Sequence, residues 1–260
     1  MKKFKEKYGP WAIVTGASSG LGTEFAWKLA DKGLNLVLTA RRKDKLENLA
    51  ANLTKEKGIE CRVIATDLAH EKGSLTLIEQ TGNLDVGLLI NNAGFGLSGN
   101  FLDNDIDEEL QMIRLNCLAP TLLAHHFGKK MQQRKSGGIL FLASMVAYQG
   151  VPTMANYSAT KAFNLLIGEA LHHELKKDGI DVHVLSPGAT ITEFADTAGM
   201  NIAMGMKPSP VVKAGISILG GKATVIAGLR NKLMHFSMVS FPRLLRSYIV
   251  GKVMAVFKKD

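Results

Sequence analysis

The chain has 260 residues, 46% hydrophobic and 21% charged, with a net charge of +9; this is ordinary globular composition, enough for one large domain or two small ones. Its two cysteines, Cys61 and Cys117, are far apart and form no C-x-x-C, which argues against a disulfide framework or zinc site and for a reducing compartment. The charge is concentrated at the ends, with +3 over residues 1–8 and +7 over 222–260 against −1 between them. No basic stripe interleaved with aromatics is present, so nucleic acid is not an expected partner. Basic ends suit a solvated surface, an anionic membrane or a partner. The apolar run behind the N-terminal lysines, Trp11 to Val14, is too short for a signal-peptide core, and a cytoplasmic protein is expected.

Trp11 to Val14 reads as a strand. It runs into Thr15-Gly16-Ala17-Ser18-Ser19-Gly20-Leu21-Gly22 and then a helix from Thr23 to Lys32. Glycines let the backbone turn sharply and leave no side chain between turn and ligand, while the helix start offers free N–H groups to a pyrophosphate. The spacing of Gly16, Gly20 and Gly22 is wider than G-x-G-x-x-G.

Leu34 to Thr39 is a second strand, ending in Ala40-Arg41-Arg42, and Asp44-x-x-Glu47 reads as a capping box for a helix to about Lys57. An NAD site would place an acid about 20 residues beyond the glycines. Here Arg41 stands instead, suited to pair bidentately with a 2′-phosphate, so NADP(H) is preferred over NAD(H). The alternative for Arg41 and Arg42 is a solvated loop pair.

Cys61 to Thr66 is a third strand, with Asp67 at its end as either an adenine-facing carboxylate or a helix cap. A fourth, Val86 to Ile90, runs into Asn91-Asn92-Ala93-Gly94. Residues 105–135 read as helix, bent at Pro120, with Asn116 in the middle. Further strands follow at Gly138 to Ala143, ending at Ser144, at Asp181 to Ser186, ending in Pro187-Gly188-Ala189-Thr190-Ile191-Thr192, and at Ala223 to Ala227. Strands alternating with helices at this rhythm indicate a doubly wound parallel sheet of about seven strands, with ligands at the strands' carboxyl ends.

A helix from Asn156 to Lys177 carries Tyr157 and Lys161. Residues i and i+4 share a helix face, so phenol and ammonium can converge, and the ammonium would favour the phenolate. Tyr-x-x-x-Lys also occurs on ordinary amphipathic helices. The pairs His125-His126 and His172-His173 do not suggest a metal site, because adjacent helical residues point about 100° apart and H-E-x-x-H is missing.

Thr15-Gly16-x-x-x-Gly20-x-Gly22, Asn91-Asn92-Ala93-Gly94, Asn116, Ser144, Tyr157-x-x-x-Lys161 and Pro187-Gly188 occur in the order and spacing of the short-chain dehydrogenase/reductase family, of its shorter classical type. The resemblance covers about residues 9–228. Within the family, Tyr8 to Ala12 and Leu34 to Leu46 look most like bacterial carbonyl reductases related to ketoacyl and hydroxysteroid reductases. The resemblance implies a single-domain Rossmann fold in which Tyr157 is the general acid or base, Lys161 lowers its pKa and binds the nicotinamide ribose, Ser144 holds the carbonyl and Asn116 holds a water. It further implies cofactor contacts from Gly16, Ser18, Ser19, Gly20, Leu21 and Gly22, and from Arg41, Asp67, Leu68, Asn92, Ala93 and Gly94. Pro187, Gly188, Thr190 and Thr192 would complete them, and the enzyme would be a homodimer or homotetramer.

The segment 193–221, with Met200, Met204 and Met206, would close over the substrate, and its flexible side chains suit an apolar ligand; loop anchoring would explain them equally. The extension 229–260 is basic and amphipathic, with Leu245, Ile249, Val253 and Phe257 near one stripe. It is expected to pack on its own domain or a second subunit, with contact to a membrane surface as the alternative. Overall, the sequence predicts an NADP(H)-dependent reductase of a hydrophobic ketone, aldehyde or 3-oxoacyl compound. The competing readings are a catalytically silent NADP-binding sensor or scaffold and a peripheral membrane module.

Overall fold

The computed structural model describes residues 2–199 and 205–255. A short helix α1 (Lys2–Tyr8) leads into β1 (Trp11–Thr15), α2 (Gly20–Ala30), β2 (Asn35–Ala40), α3 (Lys43–Lys57), β3 (Cys61–Ala65), α4 (Glu71–Gln80) and β4 (Val86–Asn91). The second half holds α5 (Ile106–Ile113), α6 (Ala119–Gln133), β5 (Gly137–Leu142), α7 (Ala155–Leu175) and β6 (Ile180–Ser186). After them come α8 (Phe194–Thr197), α9 (Pro208–Ser217), β7 (Thr224–Ile226), α10 (Leu229–Val239) and α11 (Arg243–Ala255). Met200, Met204 and Phe257 lie outside the described residues.

The seven strands form one parallel sheet in the order β3-β2-β1-β4-β5-β6-β7. Side chains alternate across it with the strand period of two. Ala12, Val14, Leu88, Ile90, Leu140 and Leu142 face one layer, which α2, α3 and α9 cover; Ile13, Leu89, Ile139 and Phe141 face the other, covered by α4, α6 and α7. Both faces are buried, so the strands read as continuous apolar runs. The strand order reverses at β1, whose neighbours are β2 and β4, and open sheets of this kind bind ligands in the crevice at that point.

Two sequence expectations are corrected. Asp44 does not cap α3: its N-cap is Arg42, in extended backbone and without a side-chain cap bond. The helix has already begun at Lys43, which places Asp44 inside the first turn. There its charge favours the helix dipole, and Glu47 pairs with Lys43 at 3.5 Å. The helix expected over 105–135 runs without a break over 106–133, but its irregularity is a π-helical turn at Arg114–Leu118, which contains Asn116 and joins α5 to α6. Pro120 follows it, and the Asn116 carbonyl, four residues before the missing N–H, accepts from Asn164 Nδ2 at 2.9 Å instead.

The helix α7 lies on β5 and β6, and Gly168 permits its close approach. A β-carbon there would stand 2.3 Å from Val184 Cγ2 on β6. This contact sets the height of the whole helix, and so of Tyr157 and Lys161, over the sheet. Among the described residues no helix is long and apolar enough to cross a membrane.

Gly168→Ala should therefore overpack this seam and destabilise the fold by about 1–3 kcal/mol, read as a lowered urea midpoint with an unchanged m-value.

Candidate active site

The site begins where β1 and β4 end side by side. The Thr15 hydroxyl donates to the Ile90 carbonyl at 3.2 Å and accepts from the amides of Asn92 at 3.0 Å and Ala93 at 2.9 Å. Asn92 Nδ2 returns to the Thr15 carbonyl at 2.8 Å and the Gly16 carbonyl at 3.3 Å. The glycine turn rests on this seam. Gly16 has φ +66°, and a β-carbon on Gly22 would stand 2.1 Å from the Gly16 carbonyl oxygen, so α2 can meet the strand end only with glycine there.

A cavity of about 980 Å³ opens over the carboxyl edge of the sheet. Of the site residues named from the sequence, all but Gly22 and Asn116 border it. One end lies over the start of α2, with Ser18, Ser19, Arg41, Arg42 and Asp67. Free helix N–H groups and guanidinium side chains suit the phosphates of a dinucleotide, and the glycine turn leaves backbone open for close approach. The residues present therefore fit such a cofactor. Asp67 accepts from the Ala69 amide at 2.9 Å, closing a turn ahead of α4; the N-cap of that helix is His70, so Asp67 is not the helix cap that one sequence reading offered. Arg42 is half-exposed but not free: it reaches Ser18 Oγ at 3.1 Å and the Glu193 carboxylate at 2.7 Å.

The other end holds the chemistry. Ser144 follows β5 and caps a short 3₁₀ turn, Met145–Tyr148. Its hydroxyl accepts from the Val146 amide at 3.4 Å and borders the same cavity as Tyr157. Lys161, one turn further along α7, is 5% exposed and donates to the Leu142 carbonyl at 3.0 Å. Burial pushes the Tyr157 phenol above its ordinary range, with Ser144 pulling weakly the other way, and lowers Lys161 to about 8. The expected lowering of the phenol by the ammonium is thus not found. Lys161 Nζ lies 5.8 Å from the Tyr157 ring centroid and points its proton at the β5 backbone, so desolvation wins. The result is a neutral, proton-bearing phenol beside a loosely protonated amine.

Asn116 sits behind this pair, 1% exposed. Its Oδ1 accepts from the Phe95 amide at 3.1 Å, and its Nδ2 donates to the Phe95 carbonyl at 2.8 Å and Thr160 Oγ1 at 3.0 Å. Those bonds use both Nδ2 hydrogens and one of the two lone pairs of Oδ1. The extra residue of the π turn aims it inward, as such bulges do at functional sites. Asn164 Nδ2 holds the Asn116 carbonyl at 2.9 Å. At the start of α7, Asn156 is tied to the buried Glu109 carboxylate at 2.7 Å.

Pro187 and Gly188 follow β6. Thr190 then bridges to Met206, and the Thr192 side chain lies against Gly20, 3.0 Å from where a β-carbon would stand. Phe194 packs on Tyr157 with ring centroids 5.5 Å apart. The far wall of the cavity comes from the C-terminal extension, through Arg230, Asn231 and Met234 of α10 and Val253 and Met254 of α11. A β-carbon on Gly251 would stand 2.7 Å from Pro152, so the tail packs on its own domain, as one of its two sequence readings held. Lys45, Glu193, Phe194, Asn164 and Met234 were not foreseen as site residues. Only the amphipathic tail pattern hinted at the last.

The sequence pattern described as short chain dehydrogenase matches residues 10–202. The chain is 34% identical over 233 residues to a 7beta-hydroxysteroid dehydrogenase of Clostridium sardiniense, covering 88% of this chain and 89% of that one. It is 35% identical over 225 residues to a very-long-chain 3-oxoacyl-CoA reductase of Neurospora crassa, covering 85% and 67%. Among solved structures, a short-chain dehydrogenase from Sphingobium yanoikuyae in complex with NADPH superposes with a TM-score of 0.81 at 30% identity, over 90% of this chain and 97% of that one.

The Lys161 shift makes a pH prediction. Its folded value, about 8, lies below the ordinary 10.5, so between the two the unfolded chain holds a proton that the folded chain has released. Stability from this group therefore rises with pH, by at most about 1.4 kcal/mol per unit. Urea unfolding at about pH 8 and pH 9 should show wild type gaining on Lys161→Met; a constant difference would contradict the burial argument.

Proposed function

The chain belongs to the short chain dehydrogenase family, oxidoreductases acting between CH–OH and C=O groups, and on that premise we propose an NADP(H)-dependent reductase of bulky apolar ketones. The observation that carries the reading is that Ser144, Tyr157 and the buried Lys161 line one cavity whose other end bears Arg41 and Arg42. The nicotinamide, when bound, supplies the hydride. Ser144 Oγ donates to the substrate oxygen and stabilises the charge that grows there. Tyr157 Oη transfers its proton to that oxygen, and because burial holds the phenol neutral it is in the donating form at neutral pH. Lys161 stabilises the phenolate left behind and, with a pKa of about 8, can return a proton to it. In oxidation the same groups run in reverse, with Tyr157 as base.

Phe95, Met154, Phe194, Met206, Met234 and Met254 give the reacting end a mostly apolar lining, which suits a bulky ketone or 3-oxoacyl chain better than a small polar one. The relatives' names, hydroxysteroid dehydrogenase and 3-oxoacyl-CoA reductase, support that class. Self-association as a homodimer or homotetramer is supported by exposed Leu110 of α5, Leu118 of the π turn, and Phe163 and Leu166 of α7, an apolar face that water alone would leave costly. No exported form is required by this reading, and a cytoplasmic enzyme fits it.

A panel of oxosteroids, 3-oxoacyl thioesters and small polar ketones with NADPH should show turnover of the apolar members. Tyr157→Phe should lower kcat/KM by about 10²- to 10⁴-fold while NADPH affinity stays within about threefold. If nothing in the panel is reduced while cofactor binds, the silent-sensor reading takes over.

For the cofactor, Arg41→Ala should weaken NADPH about tenfold and leave NADH nearly unchanged, as expected for loss of one charge-assisted contact. Equal affinities of the wild-type protein for the two would sink the preference.

A further inference from the structure

We propose that the Glu193 carboxylate sits in the anion site that a 2′-phosphate would take, so that Glu193 and the cofactor compete for Arg42, Lys45 and Ser18. The inference rests on the reading that this cavity takes NADP(H), and it assigns roles to two residues, Lys45 and Glu193, outside that reading. Three segments meet at the point: the turn before α2, the start of α3 and the loop after β6. Arg42 Nη1 binds Glu193 Oε2 at 2.7 Å, and Lys45 Nζ binds Oε1 at 2.9 Å. Arg42 also holds Ser18 Oγ, through Nε at 3.3 Å and Nη2 at 3.1 Å. Each carboxylate oxygen thus has its own cation, beside a hydroxyl.

A phosphate monoester offers one more oxygen and a charge of about −1.5 to −2, and it can satisfy the same donors more fully than a carboxylate can. Hydrogen bonds from Lys45 and Arg42 hold the Glu193 carboxyl down at about 2, so it is an anion near neutral pH. Yet these ion pairs are half-exposed, with side-chain exposures of 41%, 42% and 51% for Arg42, Lys45 and Glu193, and pairs of that kind are individually weak and screened by salt. They are contacts that a stronger anion can replace.

Exchange here has a reach. Glu193 lies between Thr192, seated on Gly20, and Phe194, packed on Tyr157. Releasing Glu193 frees the segment whose next residue covers the catalytic phenol. Such a device would make a 2′-phosphorylated cofactor, and not its unphosphorylated counterpart, open the way to Tyr157.

The test is calorimetric binding of adenosine 2′,5′-bisphosphate and of AMP to the full chain, with and without Glu193→Gln. The bisphosphate should bind about three- to tenfold tighter to the variant, with AMP changed less than about twofold. Lys45→Gln should weaken the bisphosphate in wild type and shrink the gain from Glu193→Gln. An unchanged or weaker bisphosphate, or an equal gain for AMP, would overturn the competition. If wild type binds AMP and the bisphosphate equally, the NADP(H) reading itself fails, whereas strong preference without response to Glu193 removes this inference alone. Glu193→Ser, checked with the first variant for an unchanged thermal midpoint, separates loss of charge from a folding defect.

Discussion

The site depends on the hydrogen bonds of one hydroxyl. Thr15 Oγ1 donates to β4 and accepts from two amides beyond it, so the ends of β1 and β4 are held in register where the strand order reverses. Because that hydroxyl is buried, losing a partner would leave polar groups unpaired at a cost of about 1–3 kcal/mol each. The glycine turn, the approach of α2 and the open edge above them all rest on that seam. Asn92 reinforces it, its amide being occupied with the backbone of β1, so its first task is to hold the turn rather than to touch a ligand.

Desolvation governs the reacting end. An ammonium beside a phenol suggests a lowered phenol pKa, but the ammonium must first be in position and charged. Here the Lys161 proton points to the Leu142 carbonyl and its own burial brings it to about 8. The phenol, also buried, stays neutral. A reductase needs that state at the moment of proton transfer, whereas the phenolate needs stabilising only afterwards. Burial thus drives the two groups apart, the phenol up and the ammonium down to about 8, so that one holds its proton while the other can exchange its own nearer neutral pH.

Charge organises the opposite end. The central body of the chain is nearly neutral, yet Arg41, Arg42 and Lys45 gather after β2, and Glu193 from the other half of the sheet pairs with Arg42 and Lys45. Those ion pairs join the arginine end of the cavity to the loop beside Tyr157. The C-terminal extension adds the far wall with Met234, Val253 and Met254, so part of the cavity's lining comes from beyond the region shared with the family pattern.

Much of this was legible in the sequence. Continuous apolar runs alternating with helices gave the parallel sheet, with boundaries within a residue or two, because both faces of the sheet are buried. The glycine turn, Ser144, Tyr157 and Lys161 were legible because their roles need particular residue types at particular strand ends or helix spacings. The π turn at Asn116 was not, since Pro120 signals a helix irregularity but not its form, and the partners that Asn116 finds in Phe95 and Thr160 come from distant segments. Nor were Lys45 and Glu193, which are 148 residues apart and ordinary surface types in isolation. The sequence by itself determined the architecture, and which residues stand at the carboxyl ends of the strands, through periodicity and backbone constraint. Only the tertiary structure decided their protonation, the partners of the arginines and the wall of the cavity, because burial and ion pairing between distant segments exist only once the chain has closed.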